Sequence, residues 1–410
     1  MILKKIITII ILPLFFIFIN TSSVSSRATE FNGWINIETQ KSYKSSASID
    51  TSLNDTMGLQ VVRQFHNIKS NITLNFFNNT DITFDQSFFE YKNKNKIFGV
   101  GKINRNWSFS PYTSIILSKN ARPSDSVYFM IENKKKSKNS LLSWAGPSSF
   151  EVFNSKLSNS DGVKDAMLLG LRVVIEPANN LKFELVKTSQ WGGSSYKENL
   201  STFSNALIGN TNDSTNSNIN QMAGIGVSFL TNTKKMPIRF YGQLIGEDEA
   251  GNLPSCFLSL IGSELKFKTN KLFSKIGFEY IDTRTKISEN GFCGPNTAYN
   301  NSFYDYTNYG SSMGAPIDSE GKLLNLWASK KISEKLDIIY SVKNITINDT
   351  NWSGHRLNNI KQNGWITEIK PSWKLNSLII NMNLSYQGIS LDKINIKDGL
   401  ILGLSTKYTF

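Results

Sequence analysis

From residue 31 onward the chain is a succession of short segments in which apolar and polar residues alternate, separated by turns; this period of two predicts strands whose faces meet different surroundings. The second half shows it most clearly. Ile238 to Ile245 leads into a polar loop over 246–255, and Cys256 to Phe267 follows as the next strand. A turn at Thr269-Asn270-Lys271 joins it to Phe273 to Thr283, and a long loop spans 286–321. Leu323 to Lys331, the turn Ser333-Glu334-Lys335 and Leu336 to Ile347 repeat the scheme. Long loops thus alternate with short turns, the asymmetry of an outer-membrane barrel with short periplasmic turns and long external loops. Earlier strands are expected near 34–41, 56–66, 70–78, 82–93, 95–102, 140–145, 149–156, 167–176 and 180–190. With nine later ones the total is about 18, an even number that puts both termini in the periplasm. Residues 103–139, with the aromatic-rich run Trp107 to Leu117 and the segment Val127 to Ile131, read either as an inward-folded loop or as further strands.

The last strand, Gly399 to Phe410, carries its own signal. Leu400, Leu402, Leu404, Thr406, Tyr408 and Phe410 form one mostly apolar face ending in two aromatics, suited to lipid and its interfacial girdle. An aromatic final residue on such a strand also resembles the signal read by the barrel-assembly machinery, an expected partner during biogenesis alongside outer-membrane lipid. The fold class expected is therefore all-β: a transmembrane antiparallel barrel of the bacterial outer membrane.

The amino-terminal stretch fits export. Lys4 and Lys5 precede an uncharged apolar run of 14 residues, Ile6 to Ile19, and then small polar residues, so residues 1–26 read as a cleaved signal peptide and 27–410 as one barrel domain. Beyond residue 27 no apolar run approaches the ~18 residues of a spanning helix. The formal charge of +13 falls to +11 when Lys4 and Lys5 are removed with the leader. A basic surface suits acidic polysaccharide or anionic lipid; equally, the chain is rich in Lys, Asn and Ile throughout. No nucleic-acid partner is expected.

Only two cysteines occur, Cys256 and Cys293, one at the outer end of a strand and one in the next external loop, so a disulfide pinning the 286–321 loop to the rim is sterically conceivable. The two histidines, His66 and His355, lie in different parts of the barrel and supply neither a metal site nor a hydrolase triad. There is no phosphate-cradling loop. An acidic pair such as Glu247 with Asp282 has glycosidase chemistry in principle, but solvated carboxylates are commoner in such loops. The expectation is a non-enzyme without cofactor or metal.

Three external segments stand out. Gln190-Trp191-Gly192-Gly193 offers Trp191 either as a flat face for a sugar ring or as an interfacial belt residue. Glu247, Asp248 and Glu249 follow Tyr241 to Gly246 and have the hard oxygens for a cation or for sugar hydroxyls. The loop after Arg284 holds Tyr299, Asn300, Asn301, Phe303, Tyr304, Tyr306 and Tyr309, which supply stacking faces and amides for a saccharide, a plug packed into the lumen, or both at once. Trp191, Glu247, Asp248, Glu249, Arg284, Tyr299, Asn300, Tyr304 and Tyr306 are accordingly the candidate polysaccharide contacts.

Several of these phrases, Phe240-Tyr241-Gly242-Gln243 through Gly246-Glu247-Asp248-Glu249 to Leu253-Pro254-Ser255, Glu279 with Asp282-Thr283-Arg284, Gln190 to Gly193 and Arg122-Pro123, resemble the Wzi family of capsule-assembly proteins, in order from about residue 55 to the C-terminus. The resemblance implies an 18-stranded outer-membrane lectin that holds capsular or other surface polysaccharide at the cell exterior. That family carries an N-terminal helical bundle blocking the periplasmic end, whereas here the first strand begins near Phe31. The lumen's plug is thus unaccounted for, and a diffusion channel for small solutes or saccharides is the competing expectation.

Overall fold

The computed structural model describes residues 29–43, 56–77, 82–139, 142–158, 162–194, 196–209, 219–231, 236–250, 253–267, 272–285 and 293–410. The expected signal peptide lies outside them. Eighteen strands pair antiparallel, each with the next: β1 (Thr29–Glu38), β2 (Thr56–Phe65), β3 (Ile68–Phe77), β4 (Ile82–Thr83, resuming as Phe88–Asn93), β5 (Lys96–Lys102), β6 (Asp125–Asn133), β7 (Ser148–Lys156), β8 (Met167–Ala178), β9 (Leu181–Trp191), β10 (Asn220–Leu230), β11 (Ile238–Ala250), β12 (Leu253–Lys266), β13 (Lys275–Asp282), β14 (Lys322–Lys331), β15 (Leu336–Ile347), β16 (Gln362–Leu375), β17 (Leu378–Gln387) and β18 (Gly399–Thr409). β18 then pairs with β1, from Asn32↔Thr409 to Glu38↔Gly403, and the Phe410 N–H donates to the Phe31 carbonyl at 2.9 Å. Closure leaves no unpaired edge, which satisfies the backbone inside lipid.

Alternation decides the two faces. In β18, Leu400, Leu402, Leu404 and Tyr408 are exposed while Ile401 is buried. β1 repeats this, with Ile35 and Ile37 outward and Asn32 inward. Exposed apolar side chains recur around the circumference at period two, from Phe98 and Val127 to Leu185, Ile225, Ile261, Leu326 and Trp365. Such a band is stable only against hydrocarbon. On the lumen side, large inward residues lie across a glycine on the neighbouring strand: Trp34 opposite Gly58, Tyr128 opposite Gly99, Phe153 opposite Gly170 and Tyr241 opposite Gly262. A Cβ on Gly99 would stand 2.1 Å from the Tyr128 ring, so the small partner is what lets the aromatic lie flat on the wall.

Two expected elements are corrected. No strand occupies the described part of 140–145, where Ser143–Ala145 is a turn of 3-10 helix. The even count is kept instead by β6, in which Ser126 and Tyr128 are buried and Val127 between them is 66% exposed. The polar loop expected over 246–255 is a hairpin, because β11 runs to Ala250 and β12 starts at Leu253, pairing Asp248 with Ser255 and Glu249 with Pro254. Charges ended the apolar alternation there but not the ladder, which continues beyond the lipid.

Candidate functional site

The core of this barrel is its lumen. The β5–β6 connection, 103–124, folds inward and is gripped by polar side chains on the wall. Arg105 Nε donates to Glu151 Oε1 of β7 at 2.7 Å, and Trp107 Nε1 to Glu151 Oε2 at 3.1 Å. Gln243 of β11 accepts from the Ile115 N–H at 2.9 Å and from Ser114 Oγ at 3.2 Å, while its amide donates to the Trp107 carbonyl. Arg239 of β11 donates to the Phe109 carbonyl at 2.8 Å. Glu279 of β13, 1% exposed, accepts from Ser110 Oγ and, at 3.0 Å, from the Tyr241 hydroxyl. Apolar residues between these anchors, Ile115, Ile116 and Leu117, are buried.

The β13–β14 connection lies on this segment. Tyr299 and Tyr306 stack at 5.8 Å between centroids, and their hydroxyls donate to the carbonyls of Ile115 and Ile116 at 2.7 and 2.6 Å. The Tyr304 hydroxyl donates to the Gly192 carbonyl at 2.9 Å. All three rings are buried, and burial pushes each phenol's pKa above its ordinary value, so each stays a neutral donor. Of the two readings left open by the tyrosine-rich loop, packing into the lumen is the one these residues follow. Cys256 and Cys293 are joined by a disulfide with a Cα–Cα distance of 5.3 Å, which ties the start of the described part of this loop to β12.

The outer loops close over this layer. Asp318 holds Arg356 from the β15–β16 connection, and His355, fully buried, lies 2.9 Å from the Ser319 carbonyl. Burial works to raise the Asp318 pKa, but the Arg356 guanidinium and His355 hold it below its ordinary value. Lys393 of the β17–β18 connection donates to the carbonyls of Ser353 and His355 at 2.7 and 2.8 Å.

The remaining expected contacts are dispersed. Trp191 is buried against Phe203 of a short helix, α1 (Leu200–Ile208), and its Nε1 donates to Asn154 at 3.2 Å; it is neither on the outer surface nor in the lipid belt. Glu247 is buried. Asp248 and Glu249 stand on the tip of the β11–β12 hairpin. Arg284 is clasped by Asp282 at 2.7 Å and by Asp349 at 3.5 Å, which also engages the other acid of the suggested glycosidase pair. Asn300 is half-buried, its amide donating to the Asn296 carbonyl.

The aromatics that do reach the surface of this loop are Phe303, 36% exposed, and Tyr309, 38% exposed. Tyr309 sits at φ 50°, followed by Gly310 at φ 73°, in the tip of the hairpin Thr307–Asn308/Ser311–Ser312. That conformation is unusual for a bulky residue. Its ring lies 4.0 Å from the Arg122 guanidinium, itself bound to Asp85 at 2.7 Å, and Lys102 Nζ is 3.3 Å from its hydroxyl. Reasoning from sequence missed the wall anchors Glu151, Arg239, Gln243 and Glu279. The available signal was a polar residue at an inward position of a spanning strand, which needs a partner inside the barrel.

Comparison with known proteins gives these observations a place. A segment of 149 residues is 34% identical to an uncharacterised 55.8 kDa protein in the cps region of Klebsiella pneumoniae, covering 36% of this chain and 30% of that one. Among solved structures, Wzi of Escherichia coli, an outer-membrane protein involved in group 1 capsule assembly and described as a carbohydrate-binding β-barrel, superposes with a TM-score of 0.77 at 21% identity over 93% of this chain and 84% of that one. OccK5 and OprD of Pseudomonas aeruginosa share the barrel at TM-scores of 0.54 and 0.52 and 8% identity, over 93% and 94% of this chain and 97% and 95% of theirs. The family model for capsule assembly protein Wzi matches residues 19–398, and this closed 18-stranded outer-membrane barrel therefore belongs to the Wzi capsule-assembly family.

Proposed function

We propose that this chain is a non-enzymatic barrel that holds capsular or other surface polysaccharide on its outer face. The observation that carries the reading is the inward fold of 103–124 and 293–321, which turns the external loops into a supported platform rather than the mouth of a pore. In this reading Tyr299, Tyr304, Tyr306 and Trp191 act from beneath, setting the height and rigidity of the loops. Contact with glycan falls to what stands above them: Asp248 and Glu249 on their hairpin, Asn300, and Tyr309 and Phe303, whose partly exposed rings suit the apolar side of a sugar. Arg284 and Glu247 position the rim. Lipid around the apolar band and the assembly machinery at the Phe410 strand complete the expected partners.

The test is retention of surface polysaccharide by cells producing the wild-type chain, the Tyr309→Ala/Phe303→Ala double variant, or none. Polysaccharide equally cell-bound in all three would end the proposal. Planar-bilayer recording addresses the channel alternative, since a platform of this kind predicts a silent barrel and steady open conductance would favour diffusion.

A further inference from the structure

The outer rim and one stretch of the periplasmic rim treat charge differently. At the outer end the arginines are clasped by carboxylates, Arg122 by Asp85, Arg284 by Asp282 and Arg356 by Asp318. At the periplasmic end, two adjacent connections are basic and carry no such clasp. The β4–β5 turn presents Lys94 and Lys96, both exposed. The β6–β7 connection, at 134–147 far longer than the two-residue β4–β5 turn, contributes Lys134, Lys135, Lys136 and Lys138, also exposed. The Asn95 amide donates to Asn133 Oδ1 at 2.7 Å and the Glu132 N–H to the Asn95 carbonyl at 2.8 Å, so the two connections form one surface. Among the described residues none of these six lysines forms an ion pair.

The same connection turns two large apolar side chains outward, Leu142 at 58% and Trp144 at 63% exposure. Trp144 sits on the 3-10 turn, and the following Gly146, at φ 64°, lies where a Cβ would come within 1.9 Å of the Glu176 carbonyl, which fixes how closely the turn returns to β8. Directly above the lysines along β4 and β5 stand the lipid-facing Phe89, Tyr91 and Phe98. The basic surface is therefore continuous with the band already assigned to lipid, at the height of the inner-leaflet headgroups. A tryptophan beside clustered lysines is the composition of a headgroup-level anchor.

We propose that the β4–β5 turn and the β6–β7 connection form a docking surface for anionic phospholipid of the inner leaflet, the lysines meeting headgroup phosphates and Trp144 entering the interface. The test is native mass spectrometry of the full barrel in detergent micelles titrated with phosphatidylglycerol, phosphatidylcholine or an oligogalacturonate. Wild type is expected to retain phosphatidylglycerol at least about tenfold better than phosphatidylcholine, in line with the attraction of each lysine near a charged surface. Replacing Lys134, Lys135, Lys136 and Lys138 with Ser should remove that preference; replacing them with Arg should keep it, and heat-modifiable migration shows that each variant folds. Trp144→Ser should weaken both lipids several-fold and leave the preference. Equal retention of the two lipids by wild type, or an unchanged preference in the serine variant, overturns the proposal. So does binding of oligogalacturonate without phosphatidylglycerol, which would assign the lysines to an acidic glycan.

Discussion

Two sides of one lumen meet different contents. The wall from β7 to β13 is covered by the inward segment and grips it through Glu151, Arg239, Gln243 and Glu279. The wall from β14 through β18 to β1 borders a cavity of about 340 Å³, where Asn36, Asn325, Ser341, Asn381 and Ser405 face open space and Tyr112 from the inward segment edges onto Trp327 at 5.5 Å. Its charges are settled within the wall: Glu368 of β16 accepts from Lys343 of β15 at 2.6 Å and from Lys370 at 2.9 Å. Both walls are polar on the inside, as the alternation requires. The difference is that one commits its polar groups to the inward segment, side chains and backbone alike, and the other to itself, so only the first should control whether the barrel is shut.

That contrast can be broken from either side. The largest loss of stability is expected on the open wall, from Glu368→Ala, which strands Lys343 at 3% exposure; breaking such a pair costs about 3 kcal/mol, at the low end of the usual range because the cavity admits water. Urea unfolding in micelles measures it, and the barrel should stay electrically silent. Cys256→Ser comes next, at about 2–3 kcal/mol, below the ~4 kcal/mol of loop entropy for 37 residues because residual structure in the unfolded chain offsets part of it, read as faster hydrogen exchange over 293–321 with β14 to β18 unchanged. Glu279→Ala is expected to cost less, about 1–3 kcal/mol, by leaving the hydroxyls of Ser110 and Tyr241 without an acceptor. Yet it alone of the three should raise conductance in planar bilayers, and Glu279→Gln should restore silence. A conducting Glu368→Ala with a silent Glu279→Ala would invert the assignment of the two walls.

The barrel was legible because lipid imposes a rule on every second residue, and the rule is local: Leu400, Leu402 and Leu404 announce their face within one strand. The even strand count and the succession of long and short connections follow from the same rule; Asp125–Asn133 stayed open between a strand and an inward loop because its centre, Val127 to Ile131, is an unbroken apolar run that does not alternate. The lumen obeys no local rule. Tyr299 and Tyr306 meet carbonyls at Ile115 and Ile116, more than 180 positions away in sequence, and a tyrosine suited to a sugar has the same composition as one suited to a backbone carbonyl. The phrases that resemble the Wzi family are informative here in retrospect. Tyr241, Gln243 and Glu279 lie within them, and in this structure all three help hold the inward segment, so the phrases record the plug's anchorage more than an exposed binding surface.

The finest expected effect concerns the outermost layer and sharpens the comparison by pH. His355 Nδ1 accepts the Leu357 N–H at 3.2 Å while Nε2 lies 2.9 Å from the Ser319 carbonyl, an arrangement that needs the neutral ring with its proton on Nε2. Burial holds its pKa below the ordinary histidine value; Asp318 opposes that shift, and Arg356 and Lys393 reinforce it. A base whose pKa is lowered by folding binds its proton more readily when unfolded, so the stability of this layer falls as pH drops below about 6.5. Asp318, shifted below the ordinary carboxylate value, adds its own loss only when pH falls further, below about 4. Protonation at Nδ1 would sever the Leu357 bond and place a cation beside Arg356 and Lys393, loosening 348–361 first. Limited proteolysis between pH 7.5 and 5 should therefore show increasing cleavage in 348–361, whereas His355→Gln should flatten the profile over that range. Cleavage that rises equally in the variant would shift the effect to other groups, and cleavage appearing first in 293–321 would mean that the inner tyrosine layer, not the outer one, is the weaker seal.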